Sequence, residues 1–210
     1  NWVNPMTTRT TNTPFGTIAA QYRDGRWYVA QDFSRVSHSC DQEIKAMVQG
    51  YASTFRTQHT LFAKAIRIDQ TRRRCIFELP VIPDLLPLSA HRMPLQSTLV
   101  REIILKIAAG LEVLHSKGFG AWCIAPESVF YESGSKTLAL VPTPWLGVAT
   151  LSGSDFQHQD SSTSPLMLAP ELLRSETVGS ADSALRADIF CLGHVAWSLL
   201  TSVPRTSPHQ

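Results

Sequence analysis

Between about Leu95 and Lys117 an apolar residue returns every four positions, at Leu99, Ile103, Ile107 and Leu111, and Val100, Ile104 and Leu114 widen the stripe. A period near 3.6 sets these residues on one face, so the stretch predicts a long helix that must bury that face against other elements. Gly118 ends the pattern, with His115 and Lys117 placed for the negative end of the helix dipole. The covering elements must come from the rest of the chain, and its patterning says what they are.

Residues 15–33 read as β structure. Tyr22 precedes Arg23-Asp24-Gly25, a tight-hairpin signal, and Trp27, Tyr28 and Val29 suit a pleated surface. From Asp41 to about Thr57 the period becomes helical, through Ile44, Met47, Val48, Tyr51 and Phe55, with Ser39 or Asp41 expected to cap its start. Two strands are predicted from Leu61 to Ile68 and from Cys75 to Leu79, before Pro80, Pro83 and Pro87 interrupt regular pairing. After the long helix come short strands at 128–131 and 137–141, a Ser/Thr-rich loop from Ser152 to Pro165, and a helix over Ala187–Thr201. That last helix is apolar on nearly all sides, which predicts burial. Strands first and helices later argue for an α+β chain in two lobes. The expected division is a lead-in or ragged first strand over 1–14, a β-rich lobe over 15–79, a hinge over 80–94 and a mainly helical lobe over 95–210.

Hydrophobic residues make up 43% of the chain and charged ones 17%, enough apolar matter for a core and too little charge for a disordered or coiled-coil chain. A net charge of +2 points to neither a nucleic-acid binder nor a trap for acidic substrates. The one dense basic run, Arg72-Arg73-Arg74, reads as a solvated turn. Cys40, Cys75, Cys123 and Cys191 are far apart, without metal or disulfide spacing, and as separate thiols suit a reducing, cytoplasmic setting, with a secreted effector as the alternative. No apolar run reaches the roughly 18 residues of a membrane span. The chain begins at Asn1 and is expected to be an excised piece.

Several strings, in order, resemble the protein kinase family. Phe15-Gly16-Thr17-Ile18 is similar to the end of a glycine-rich loop, and Val29-Ala30-Gln31-Asp32 to the strand that carries the nucleotide-gripping lysine. Glu43 sits where a helical glutamate pairs with that lysine, and Leu111–Gly118 resembles the helix leading into the catalytic loop. Ala121–Val129 follows as that loop. Ala169-Pro170-Glu171 matches the Ala-Pro-Glu anchor, and Asp188–Gly193 the start of a central buried helix whose Asp188 and Gly193 organise the loop from below. The resemblance implies a bilobal kinase-like fold, with the second lobe incomplete after the central helix.

It also implies a dismantled active site. Phosphoryl transfer rests on positioned charge. Two of the loop glycine positions hold Thr11 and Thr13, the lysine position holds Asp32, and a carboxylate there repels both Glu43 and phosphate. The His-Arg-Asp positions hold Ala121, Trp122 and Cys123, so a thiol replaces the base, and the metal-binding asparagine becomes Ser128. No carboxylate occurs from Ser135 to Ser154, where the metal-binding Asp-Phe-Gly belongs. The expectation is a pseudokinase without cofactor or metal, acting on a protein partner as scaffold or allosteric regulator. The alternatives are a divergent nucleotide-using transferase relying on Cys123 or Glu43, and an interaction domain whose kinase-like strings are coincidental. Ser164, before Pro165, is a candidate phosphorylation site.

Overall fold

The computed structural model describes residues 9–13, 16–55, 61–147, 169–170 and 181–201. A five-stranded antiparallel sheet forms the first lobe. Its strands are β1 (Arg9–Thr13), β2 (Gly16–Arg23), β3 (Arg26–Asp32), β4 (Lys64–Asp69) and β5 (Arg74–Glu78), in the order β1-β2-β3-β5-β4. The Asp24-Gly25 turn joins β2 to β3 with φ of 51° and 77°, the two positive values that a twisted hairpin requires. The segment read as a lead-in contains β1, which pairs along its whole length with β2.

Helix α1 (Asp41–Thr54) turns Ile44, Val48 and Tyr51 inward, as the period predicts. Its entry differs from expectation. The cap oxygen belongs to Ser37, which accepts from the Ser39 N–H and starts a 3-10 turn over His38–Cys40; neither Ser39 nor Asp41 caps α1. The Asp41 carboxylate is instead bound by Arg73. Arg73 corrects the reading of its basic run: with φ of 49° its side chain folds inward, donating to the carbonyls of Ser34, Val36 and Ser37 and to Asp41 Oδ1 at 2.6 Å. Its guanidinium also lies 5.3 Å from the Phe33 ring centre. One arginine thus ties the loop before α1 and the start of α1 itself to the β4–β5 turn.

The second lobe contains a small sheet, β6 (Leu86–Pro87), β7 (Val129–Glu132) and β8 (Thr137–Leu140), with helix α2 (Ser97–Ser116) and helix α3 (Ala181–Thr201). Val100, Ile103, Ile107, Leu111 and Leu114 are the buried stripe of α2, each worth about 1.5–3 kcal/mol when fully removed from water. Gly118, at φ of 77°, closes α2, and the Phe119 N–H returns to Leu114 O. Helix α3 is less enclosed than its composition predicts: Leu185, Ile189, Trp197 and Leu200 stay exposed along one side. Among the described residues no helix is long and apolar enough to cross a membrane.

Candidate functional site

The space between the lobes is bounded by β3 above, the 80–94 connector at the back, and the 121–147 segment below. Period-2 alternation on β3 sends Trp27, Val29 and Gln31 inward and leaves Tyr28, Ala30 and Asp32 on the other face. The inward residue at the end of the strand is therefore Gln31, and a one-residue slip in the sequence reading exchanges the two faces. Gln31 is fully buried and reaches the lower lobe. Its amide donates to Pro142 O at 3.0 Å and to Thr143 Oγ1 at 3.2 Å, while its oxygen accepts from the Trp145 indole at 2.9 Å. Trp145 has no exposed surface and packs against Phe33, with ring centres 5.5 Å apart.

Asp32 lies outside this contact. It accepts from the Ser34 N–H at 2.7 Å and faces Arg74 at 3.7 Å, an arrangement that ends the strand. Glu43 is exposed, next to the inward-facing Ile44, so no carboxylate of α1 meets β3 at that position. Gly16 is held by packing: a Cβ there would stand 2.3 Å from Asp32 O, and its φ is 149°.

Nearer the connector, Trp27 fills the inner end of the space. Its indole N–H donates to Leu85 O at 2.6 Å, its ring lies 5.4 Å from Phe130 of β7, and only 7% of the residue is exposed. Trp27, Gln31 and Trp145 were not among the candidate residues. The signal for the first two was available in the alternation Trp27-Val29-Gln31; nothing in the sequence connects them to Trp145.

The loop below is organised from α3. Asp188, fully buried, accepts from the N–H groups of Ala121 at 2.9 Å and Trp122 at 2.6 Å, and lies 2.7 Å from His115 Nε2. Gly193 is exposed, with open space where a side chain would project. Trp122, at φ of 60°, fits its indole against Gly120 and Gly147, where any Cβ would come within 2.8 Å and 2.6 Å respectively of its neighbours. Cys123 is fully enclosed, and burial, reinforced by Cys191, Asp188 and Glu127, holds its thiol well above the ordinary range. Burial of this kind disfavours the thiolate that a nucleophilic cysteine needs. Ser128 Oγ is occupied by its own turn, accepting from Ala125 N and donating to Ala125 O.

These residues do not fit a magnesium ion. The serine is turned into its loop, 135–147 supply no carboxylate, and no group of three or more His, Cys, Asp or Glu among the described residues could hold a metal. Of the Ala-Pro-Glu string, Ala169 is buried and Pro170 exposed. Glu171 and Ser164 lie outside the described residues, as does the whole Ser152–Pro165 loop.

No protein-family model matches the chain, and no curated protein matches it in sequence. Solved structures do. The kinase domain of PknI from Mycobacterium tuberculosis, in a C20A mutant, superposes with a TM-score of 0.61 at 14% identity, covering 100% of this chain and 81% of that one. The unsubstituted PknI kinase domain gives 0.60 at 16% identity, with 100% and 82% covered. The kinase domain of maize SIRK1, a sucrose-induced receptor kinase solved with AMP-PNP bound, gives 0.61 at 14%, with 95% and 70% covered. The chain therefore has the bilobal protein kinase fold, with a β-sheet first lobe and a helical second lobe.

Proposed function

We propose that this kinase-fold chain does not transfer phosphate and instead works through protein contacts, as a scaffold or an allosteric regulator. The observation that carries this reading is the occupation of the inter-lobe space by the chain's own side chains. A nucleotide seated there needs a flat apolar slot for its base and fixed cations for its phosphates. Trp27 is itself a flat ring bonded to a connector carbonyl, and Gln31 is bonded across the lobes to Pro142, Thr143 and Trp145. The inward end of β3 thus offers an amide that is already spent, in place of a cation. Cys123 and Ser128 supply neither a base nor a metal ligand.

A thermal melting scan with ATP, Mg²⁺ and both together at millimolar concentration tests the proposal. Ligand that binds only the folded state at one hundred times its Kd stabilises by about 2.7 kcal/mol, a rise of about 5–10 °C for a chain of this size. The expected result is no shift with any of the three. A rise of that size, or nucleotide-dependent labelling of a protein that is lost in Cys123→Ala, overturns it.

A further inference from the structure

The arginine run has a second use on the opposite side of the first lobe. Because Arg73 is anchored inward by four hydrogen bonds, the flanking Arg72 and Arg74 are carried on a fixed turn and directed to the outer face of the sheet. That face is not flat. Ala19 and Ala30 are register partners, Ala30 also pairs with Ile76, and the small side chains leave a depression of about 570 Å³. Tyr28 and Ile66 flank its floor, and Ile66 is 42% exposed at the β4 bulge.

Four arginines line the depression, Arg23, Arg67, Arg72 and Arg74, against two aspartates, Asp24 and Asp69. Asp24 pairs with Arg23, and Asp69 accepts from Arg67 Nη2 at 3.0 Å and from the Arg72 main-chain N–H at 3.1 Å. The Arg72 guanidinium has no ion pair among the described residues. Arg74 Nε is buried without a hydrogen-bond partner, its carboxylate neighbour Asp32 standing off at 3.7 Å. The Arg72 guanidinium, on a turn that Arg73 holds and beside an apolar floor, has donor capacity that the chain does not use, and Arg74, which opens β5, adds charge countered among the described residues only by Asp32 at 3.7 Å.

We propose that this outer sheet face docks an extended acidic segment of a partner protein, with an apolar side chain over Ala19 and Ala30 and carboxylates on Arg72 and Arg74. The bulge at Ala65/Arg67 interrupts the free edge of β4, so the segment lies across the face rather than adding a strand to it. A nucleic acid fits less well: the surplus of positive charge is small, and Asp24 and Asp69 stand in the path of a phosphate ladder. The proposal stands independently of whether the inter-lobe space takes nucleotide.

The test is fluorescence anisotropy of a short fluorescein-labelled peptide of glutamate and aspartate with one central leucine, titrated with the intact chain. Saturable binding is expected, weaker at higher salt and about tenfold or more weaker in Arg72→Glu/Arg74→Glu. Ala30→Tyr fills the floor without changing charge and should weaken binding as well, whereas Lys117→Glu, exposed at the end of α2 in the other lobe, should not. Melting curves of each variant identify any that is misfolded, and the remaining variants decide. No saturable binding, equal binding by the arginine double variant, or equal competition by a single-stranded oligonucleotide overturns the proposal.

Discussion

Replacing Gln31 by leucine separates the inner face of β3 from the outer one. The substitution keeps the volume and removes three hydrogen bonds. It leaves the Trp145 N–H and Pro142 O buried without their partner, at about 1–3 kcal/mol for each such group, and the added apolar burial returns about 1 kcal/mol. The net cost is about 1–5 kcal/mol, which lowers the melting temperature by about 2–20 °C for a chain of this size. Gln31→Lys should cost more, since its ammonium enters a buried position with no carboxylate between Ser135 and Gly147. Asp32→Lys provides the contrast, losing a strand-end hydrogen bond and the Arg74 attraction for about 1–2 kcal/mol. Chemical denaturation of the three variants, with midpoints compared at a common slope, measures the order. If Gln31→Lys behaves like the parent protein while Asp32→Lys unfolds, the assignment of the two faces is wrong.

Further outcomes follow from the same contacts. Arg73→Ala should cost about 3–5 kcal/mol and Arg72→Ala less than about 0.5 kcal/mol, a difference that urea midpoints will show. Asp188→Asn turns an amide toward the Ala121 and Trp122 N–H groups, so it should destabilise by about 2–4 kcal/mol in thermal melts. Alkali should weaken the fold. Burial pushes the Cys75 thiol up to about 12 and Cys123 well above its ordinary value of 9.0. Both thiols stay protonated in the folded chain above pH 9 while the unfolded chain loses its protons. Their contribution is thus fully present below about pH 9 and declines by about 1.4 kcal/mol per pH unit per thiol above it. A flat stability profile from pH 9 to pH 10.5, against a Cys75→Ala/Cys123→Ala reference, contradicts this.

Much of the fold was written in local patterns. The α2 stripe, the Asp24-Gly25 turn and the Ile44-Val48-Tyr51 face depend on neighbours within a turn or a hairpin, and the structure has them at the expected places. The start of α1 was misread because its main restraint, Arg73, comes from the turn between β4 and β5, more than thirty residues further on. The inter-lobe contacts were illegible for a similar reason: Gln31 and Trp145 meet across more than a hundred residues. Matching Asp32 to a motif's lysine also overrode the strand's own alternation, which places Gln31 beside Trp27 and Val29 on the inner face.

Residues 61–63 join the first lobe to the second without passing through the connector. Leu140 N donates to Leu61 O at 2.8 Å, Ala63 N donates to Leu140 O at 3.0 Å, and Gly110 lets Leu61 approach α2 to within a methyl contact. The strip just before β4 is therefore riveted to the helical half. With Gln31 of β3 bonded to the 142–145 segment as well, the sheet half is pinned to the helical half at two places besides the connector, and the connector alone cannot act as the pivot.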